Sequence, residues 1–177
     1  PRWRNGWDWG LFIGGLVPAL IFGVAFGNLL QGVPFHLDNM LRPWYTGGFF
    51  GLLNPFALLA GLGSVAMLTA HGAIWLRLRT GEPVAPRAKA SAGVWGLVTI
   101  VAFAAAGVWL VFGVEGYRVV SMPPLDAQPN PLTKEVVREA GAWLLNYRAY
   151  PWTLTFPTLG FLGLGLAVVM SKLDRPG

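Results

Sequence analysis

The stretch Trp9–Leu37, WGLFIGGLVPALIFGVAFGNLLQGVPFHL, runs for 29 residues without a formally charged side chain. At 1.5 Å rise per residue, about 20 predominantly apolar residues cross the hydrocarbon core of a bilayer. This one stretch is therefore long enough to span. Three more uncharged stretches follow it, Pro43–Leu76, Ala90–Val114 and Ala149–Ser171. A secretory signal peptide is excluded for the first, because it is too long, carries Pro18 and Asn28, and is followed by three segments like itself. The fold class expected is all-α, a polytopic transmembrane helix bundle with about four membrane-spanning helices. Its spans are expected over 9–31, 54–76, 91–114 and 151–171, within a single membrane domain covering 1–177.

Composition agrees with that reading. Of 177 residues only 12% are charged, where a soluble domain carries roughly a quarter. Nine Trp and eleven Phe argue against a disordered chain. No Cys is present, which removes disulfide staples, thiolate-ligated zinc, iron–sulfur clusters and cysteine nucleophiles together. The net charge of +5 does not indicate nucleic acid, because the thirteen Lys and Arg sit at segment ends rather than in a stripe that could follow phosphates.

Local signals place the helix ends. Pro43-Trp44-Tyr45-Thr46-Gly47-Gly48 has the composition of a membrane interface, so the second span should begin at Asn54 as N-cap with Pro55 in the first helical position. The same pair recurs at Asn130-Pro131. The longest polar stretch, 115–150, opens with Met122-Pro123-Pro124 and Pro129, a run that cannot be helical. Beyond it, Leu132, Val136, Val137, Ala140, Trp143 and Leu144 recur at helical spacing against Lys134, Glu135, Arg138 and Glu139. That pattern predicts a short amphipathic surface helix over 130–146, lying on the membrane or a partner and serving assembly, with Trp143 as its largest contact.

Four spans put both chain ends on one side. Arg2, Arg4, Arg77, Arg79, Arg87, Lys89, Lys172 and Arg175 lie on that side, eight cations against the five of Arg42, Arg118, Lys134, Arg138 and Arg148. The positive-inside rule makes the short loop 77–89 cytoplasmic and the loop 115–150 periplasmic.

An aromatic-rich membrane bundle invites a test for haem. The only two histidines, His36 and His71, belong to opposite ends of the spans and cannot sandwich one iron. Met67 and His71 stand four apart on one helix face, so they cannot approach a haem from both sides. His36 with Met40 is geometrically feasible in an irregular loop but is the minor alternative. The expected setting of His71 is a hydrogen-bonded helix–helix contact beside Gly61, Gly63, Ala66, Ala70 and Gly72. Asp8 and Glu115 fall at span edges, where a solvated end residue explains them better than a proton path. Gly14-Gly15, Gly23, Gly27, Gly160, Gly163 and Gly165 supply small faces for close packing, and no strand precedes them to make a nucleotide-binding turn. From residues alone, no catalytic, cofactor-binding or metal-binding residue is assigned.

The blocks Arg2-Trp3-Arg4-Asn5-Gly6-Trp7-Asp8-Trp9-Gly10, Gly23 through Phe35, Leu52-Leu53-Asn54-Pro55-Phe56 and Lys134 through Leu144 resemble subunit II of the bacterial cytochrome bd-type quinol oxidases. The resemblance extends over essentially the whole chain. It implies a membrane subunit of a terminal oxidase that oxidises quinol and reduces dioxygen to water in the bacterial plasma (inner) membrane. Haem b and haem d, and the quinol-oxidation loop, are implied to belong to a haem-bearing subunit I, with this chain as its helical partner in the lipid bilayer and room for a small accessory subunit. The Trp-Asp-Gly-Asn segment in which that family's proton- and oxygen-path residues cluster is not found here, so no site residue is carried over. The expected reading is an internal fragment of a larger subunit. A fragment of a polytopic secondary transporter is the rival, resting on the helix interruptions Val17-Pro18-Ala19 and Phe156-Pro157-Thr158.

The charge bias yields a direct prediction. In a cysteine-free background, a membrane-impermeant thiol reagent applied to intact cells should modify Ala127→Cys and spare Glu82→Cys. The opposite labelling would invert the orientation.

Overall fold

A computed structural model describes residues 3–128 and 130–173, with the backbone alone for Pro131 and Lys172. Arg2, Pro129 and Arg175, used above, lie outside the described residues. The chain forms α1 (Arg4–Gln31), a small hairpin of β1 (Phe35–Leu37) and β2 (Pro43–Tyr45), α2 (Pro55–Arg79) and α3 (Val84–Phe112). There follow β3 (Glu115–Ser121), β4 (Glu135–Ala140), the short α4 (Leu145–Ala149) and α5 (Thr155–Lys172). Four helices are long and apolar enough to cross a membrane: α1, α2, α3 and the span Pro151–Ser171 that contains α5. The all-α bundle is thus as expected. α1 and α3 begin well before the uncharged stretches, because Arg and Lys on long stems continue a helix into the interface at little cost.

Asn54 caps α2 as its position beside Pro55 predicts: its side-chain oxygen accepts from the Ala57 N–H at 2.9 Å. At Asn130 the same device, with the Leu132 N–H at 2.9 Å, opens only a 3-10 turn, Pro131–Thr133. The surface helix expected over 130–146 does not form. Glu135–Ala140 is instead a strand, antiparallel to β3 with Tyr117 opposite Arg138 and Arg118 opposite Val137. A short run of apolar residues fits helix and strand periods almost equally, and the partner strand decides between them. Here β3 supplies diagonal ion pairs, Arg118–Glu139 at 3.0 Å and Arg138–Glu115 at 3.6 Å, and sets Val119 against Val136. Gly141, at φ +77°, then turns the chain into the 3-10 turn Ala142–Leu144 that carries Trp143.

The helices pack in the order α1–α2–α3–α5, with no comparable contact between α1 and α5 to close the ring. Small residues set the approach. α3 buries Ala88, Ala92, Gly96, Thr99 and Ala102, and α2 meets it with Ala66, Ala70 and Ala73. In a lipid environment helices gain nothing by burying Leu against Leu, so close backbone contact through Gly and Ala carries the association. At Gly96 a Cβ would stand 2.5 Å from Val168 of α5, and Phe103 meets Phe161 edge-on at 5.0 Å. At Gly23 a Cβ would come within 2.6 Å of the Ala60 carbonyl oxygen and the Gly61 Cα, and at Gly27 within 2.6 Å of the Ala57 Cα. The other expected packing glycines, Gly14, Gly15, Gly160, Gly163 and Gly165, meet nothing within 4 Å among the described residues.

α1 therefore packs on α2 only along its second half. Its buried residues are Gly23, Val24, Gly27 and Asn28, and everything from Trp3 to Gly15 is exposed. Pro18 lies just before this packed half, inside a helix that continues through it. The consequence reaches His71. The α2 face that meets α1 at Ala57, Ala60 and Gly61 continues to Met67, His71 and Trp75, and all three are exposed. The helix–helix contact expected for His71 is not formed, because α1 does not cover that face at the depth of His71.

Gly23→Val should separate α1 from α2, since the new side chain meets backbone that cannot yield, at an overpacking cost of about 1–3 kcal/mol. The thermal midpoint of the purified full-length subunit in its complex should fall, whereas Gly14→Val, in open space, should leave it within about 0.5 kcal/mol of the parent. Equal effects at the two positions would refute the assigned contact.

Candidate functional site

At the end of the bundle that carries both hairpins, polar groups from α1, the return to α2 and β4 meet around a cavity of about 290 Å³. Asn28, 7% exposed, is its deepest polar residue. Its amide donates to the Val24 carbonyl at 2.9 Å and to the Leu52 carbonyl at 2.7 Å. Its carbonyl oxygen accepts from Asn54 Nδ2 at 3.1 Å, and Asn54 in turn caps α2. A buried carboxamide with both ends satisfied is stabilising, and one left unpaired would be costly.

The end of α1 is closed from β3 and β4. The Gln31 carbonyl accepts from Arg138 Nη2 at 3.1 Å and from the Tyr117 hydroxyl at 3.3 Å. Arg138 also lies over the Tyr117 ring, 5.5 Å from its centroid. A cation at the carbonyl end of a helix complements the helix dipole. The chain leaves at Gly32, φ +75°, where a Cβ would run into the Tyr117 hydroxyl, so glycine is required both by conformation and by space. Gln31 lines the cavity, and its Oε1 is buried without a hydrogen-bond partner, as is Trp143 Nε1 beneath β3. Sequence reasoning missed Gln31, Tyr117 and Arg138 as a group. The one available signal was Asn28, a polar residue inside an otherwise apolar run.

Asp38 organises the tip of the first hairpin. Its carboxylate accepts from the Arg42 N–H at 2.9 Å, the Met40 N–H at 2.8 Å, Arg42 Nε at 2.8 Å and Trp44 Nε1 at 3.2 Å. The Arg42 N–H above all, with the Trp44 indole, the Met40 N–H and the Arg42 guanidinium adding to it, holds the carboxyl below the usual 3.8 against a smaller opposing effect of desolvation. The network also holds Leu41 at φ 60°, a left-handed conformation that L residues rarely adopt.

The four candidate haem ligands are dispersed. His36 lies on β1 opposite Trp44, and Met40 is at the turn of the same hairpin. Met67 and His71 share an exposed face of α2, about 20 and 25 Å of helix rise from the capped end at Asn54. The 290 Å³ cavity is lined by neither a histidine nor a methionine, and nor is the shallow one of about 410 Å³ formed by Asn5, Asp8, Trp9 and Phe12 on α1. Among the described residues no three His, Asp or Glu side chains gather to hold a metal ion. The structure thus brings His36 and His71 to no common site. Asp8 edges the shallow cavity, and Glu115 pairs with Arg138 at 3.6 Å.

The model of the cytochrome bd terminal oxidase subunit II family matches residues 1–177. The chain belongs to that family. It is 53% identical over 174 residues, 98% of its length, to the cytochrome bd-I ubiquinol oxidase subunit 2 of Escherichia coli K12, covering 46% of that protein. It is 50% identical over its full length to the probable cytochrome oxidase subunit 2 of Haemophilus influenzae, covering 47%. With the cytochrome bd ubiquinol oxidase subunit 2 of Bacillus subtilis it shares 30% identity over 107 residues, 59% of this chain and 30% of the relative. The chain thus spans about half the length of the first two of these relatives.

The Asp38 network gives a pH dependence of known sign. The folded carboxyl titrates below the unfolded one, so its stabilisation is complete above about pH 3.8 and is lost as pH falls through the lower folded value. Hydrogen exchange over Phe35–Tyr45, corrected for intrinsic rates, should accelerate in that window and be already fast, without the step, in Asp38→Asn. A step that survives in Asp38→Asn would assign it to another group.

Proposed function

We propose that this chain is part of the membrane subunit II of a cytochrome bd-type terminal oxidase, a quinol:oxygen oxidoreductase of a bacterial respiratory chain. The observation that carries the reading is identity above one half, sustained over 98% of the chain, to a ubiquinol oxidase subunit. In this reading haem b and haem d, and the site of quinol oxidation, reside in the partner subunit I. The dispersal of His36, His71, Met40 and Met67 supports that division of labour. This chain contributes helices and a polar-sealed helix end rather than a reacting group, and its place is the plasma membrane, with 77–89 cytoplasmic and the hairpin end periplasmic. The transporter alternative has lost its basis. α1 runs unbroken through Pro18, and Pro157 sits in the first turn of α5, where a proline disturbs no hydrogen bond.

The test is spectroscopic. In the full-length complex, His71→Ala and His36→Ala should each leave every haem band of a reduced-minus-oxidised spectrum at parental stoichiometry. Selective loss of one band from an assembled complex would place a haem ligand in this chain. A purified parent complex without any haem band would remove the oxidase assignment itself.

A further inference from the structure

The two hairpins at the same end of the bundle differ in kind. Residues 115–148 carry eight formal charges in 34 positions, whereas 33–53 carry only Asp38 and Arg42 in 21, together with five aromatic residues. Those two charges cancel each other, since Arg42 Nε lies 2.8 Å from Asp38 Oδ2. The polar tips of the aromatics also turn inward. Trp44 Nε1 donates to Asp38, and the Tyr45 hydroxyl donates to the Gly48 carbonyl at 3.0 Å. The largest outward side chains are apolar, Met40 at 75% exposed, Phe49 at 68% and Phe50 at 83%, and they share the surface with the polar His36, Asn39, Arg42 and Thr46, the mixture an interface between water and lipid accommodates.

The backbone is closed in the same way. β1 pairs with β2 from Phe35–Tyr45 to Leu37–Pro43, and Asp38, Leu41, Thr46 and Gly51 each donate their N–H to a carbonyl within the segment or at its start. A segment set in a medium of low polarity must satisfy those groups itself. The height is fixed too. Leu52 is tied by its carbonyl to Asn28, about one helical turn inside the end of α1, so the return limb lies level with the last turn of that apolar helix.

We propose that 33–53 is an interfacial element seated in the lipid bilayer at the headgroup–acyl boundary, with the Met40–Leu41 tip and Phe49-Phe50 as its lipid-facing anchors. Its partner is the lipid surface, for which self-neutralised charge, inward polar tips and outward aromatics are the matching chemistry. The inference goes beyond the oxidase assignment and needs only that the four spans cross a membrane.

A fluorophore on Met40→Cys tests it, in the full-length complex stripped of other reactive cysteines and reconstituted into phosphatidylcholine–phosphatidylglycerol vesicles. Nitroxide placed shallowly on the phosphatidylcholine should quench the label severalfold more than aqueous iodide does, and the same label on Ala127→Cys in the charged loop should show the reverse. Dominant iodide quenching at Met40→Cys would make the segment a water-exposed loop. Quenching by neither agent would make it a protein contact, and either result overturns the proposal. Phe50→Cys gives the same reading should Met40→Cys fail to assemble.

Discussion

One carboxamide joins three segments of the hairpin end. Asn28 donates within α1 to Val24 and across to Leu52, and accepts from the residue that caps α2. Its position follows from the packing beside it. Gly23 and Gly27 bring α1 against the backbone of α2 closely enough for an Asn one residue further on to reach the returning chain. Were either glycine larger, the amide would lose the Leu52 carbonyl and the Asn54 amide and keep only its bond to Val24 within α1. The small-residue contact and the polar joint therefore depend on each other, and the Gln31 carbonyl, sealed by Arg138 and Tyr117, extends the joint to the second hairpin.

That dependence explains which parts of the fold were legible. Long uncharged stretches and an Asn-Pro pair are local signals, and they located four spans and the start of α2. The hairpins were not legible, because strand against helix at 132–144 is decided by what lies opposite, and Arg118, Val119 and Tyr117 are distant in sequence. Asp38 drew no reading from sequence, because only the folded backbone brings two amides and an indole to its carboxylate. His71 was misplaced for a related reason. It was set beside Gly63, Ala66 and Ala70, which lie on the side toward α3, whereas it shares with Met67 and Trp75 a face whose cover depends on how far α1 follows α2.

An open series α1–α2–α3–α5 leaves its flanks exposed, and the window that defines the fourth span has no buried residue at all. In water such a layer would be unstable. In a membrane, lipid or further helices cover it, and the apolar flanks cost nothing in either case. His71 is among the exposed polar residues of the spans, with Asp8 and Thr158. His71 makes no hydrogen bond within the described residues, and an imidazole about 12 Å of helix rise from Arg79 is poorly served by hydrocarbon. Met67, Leu68, His71 and Trp75 thus form an open face of α2 that α1 leaves uncovered at this depth, and because hydrocarbon cannot serve the imidazole, this is the flank that gains most from a covering group able to hydrogen-bond.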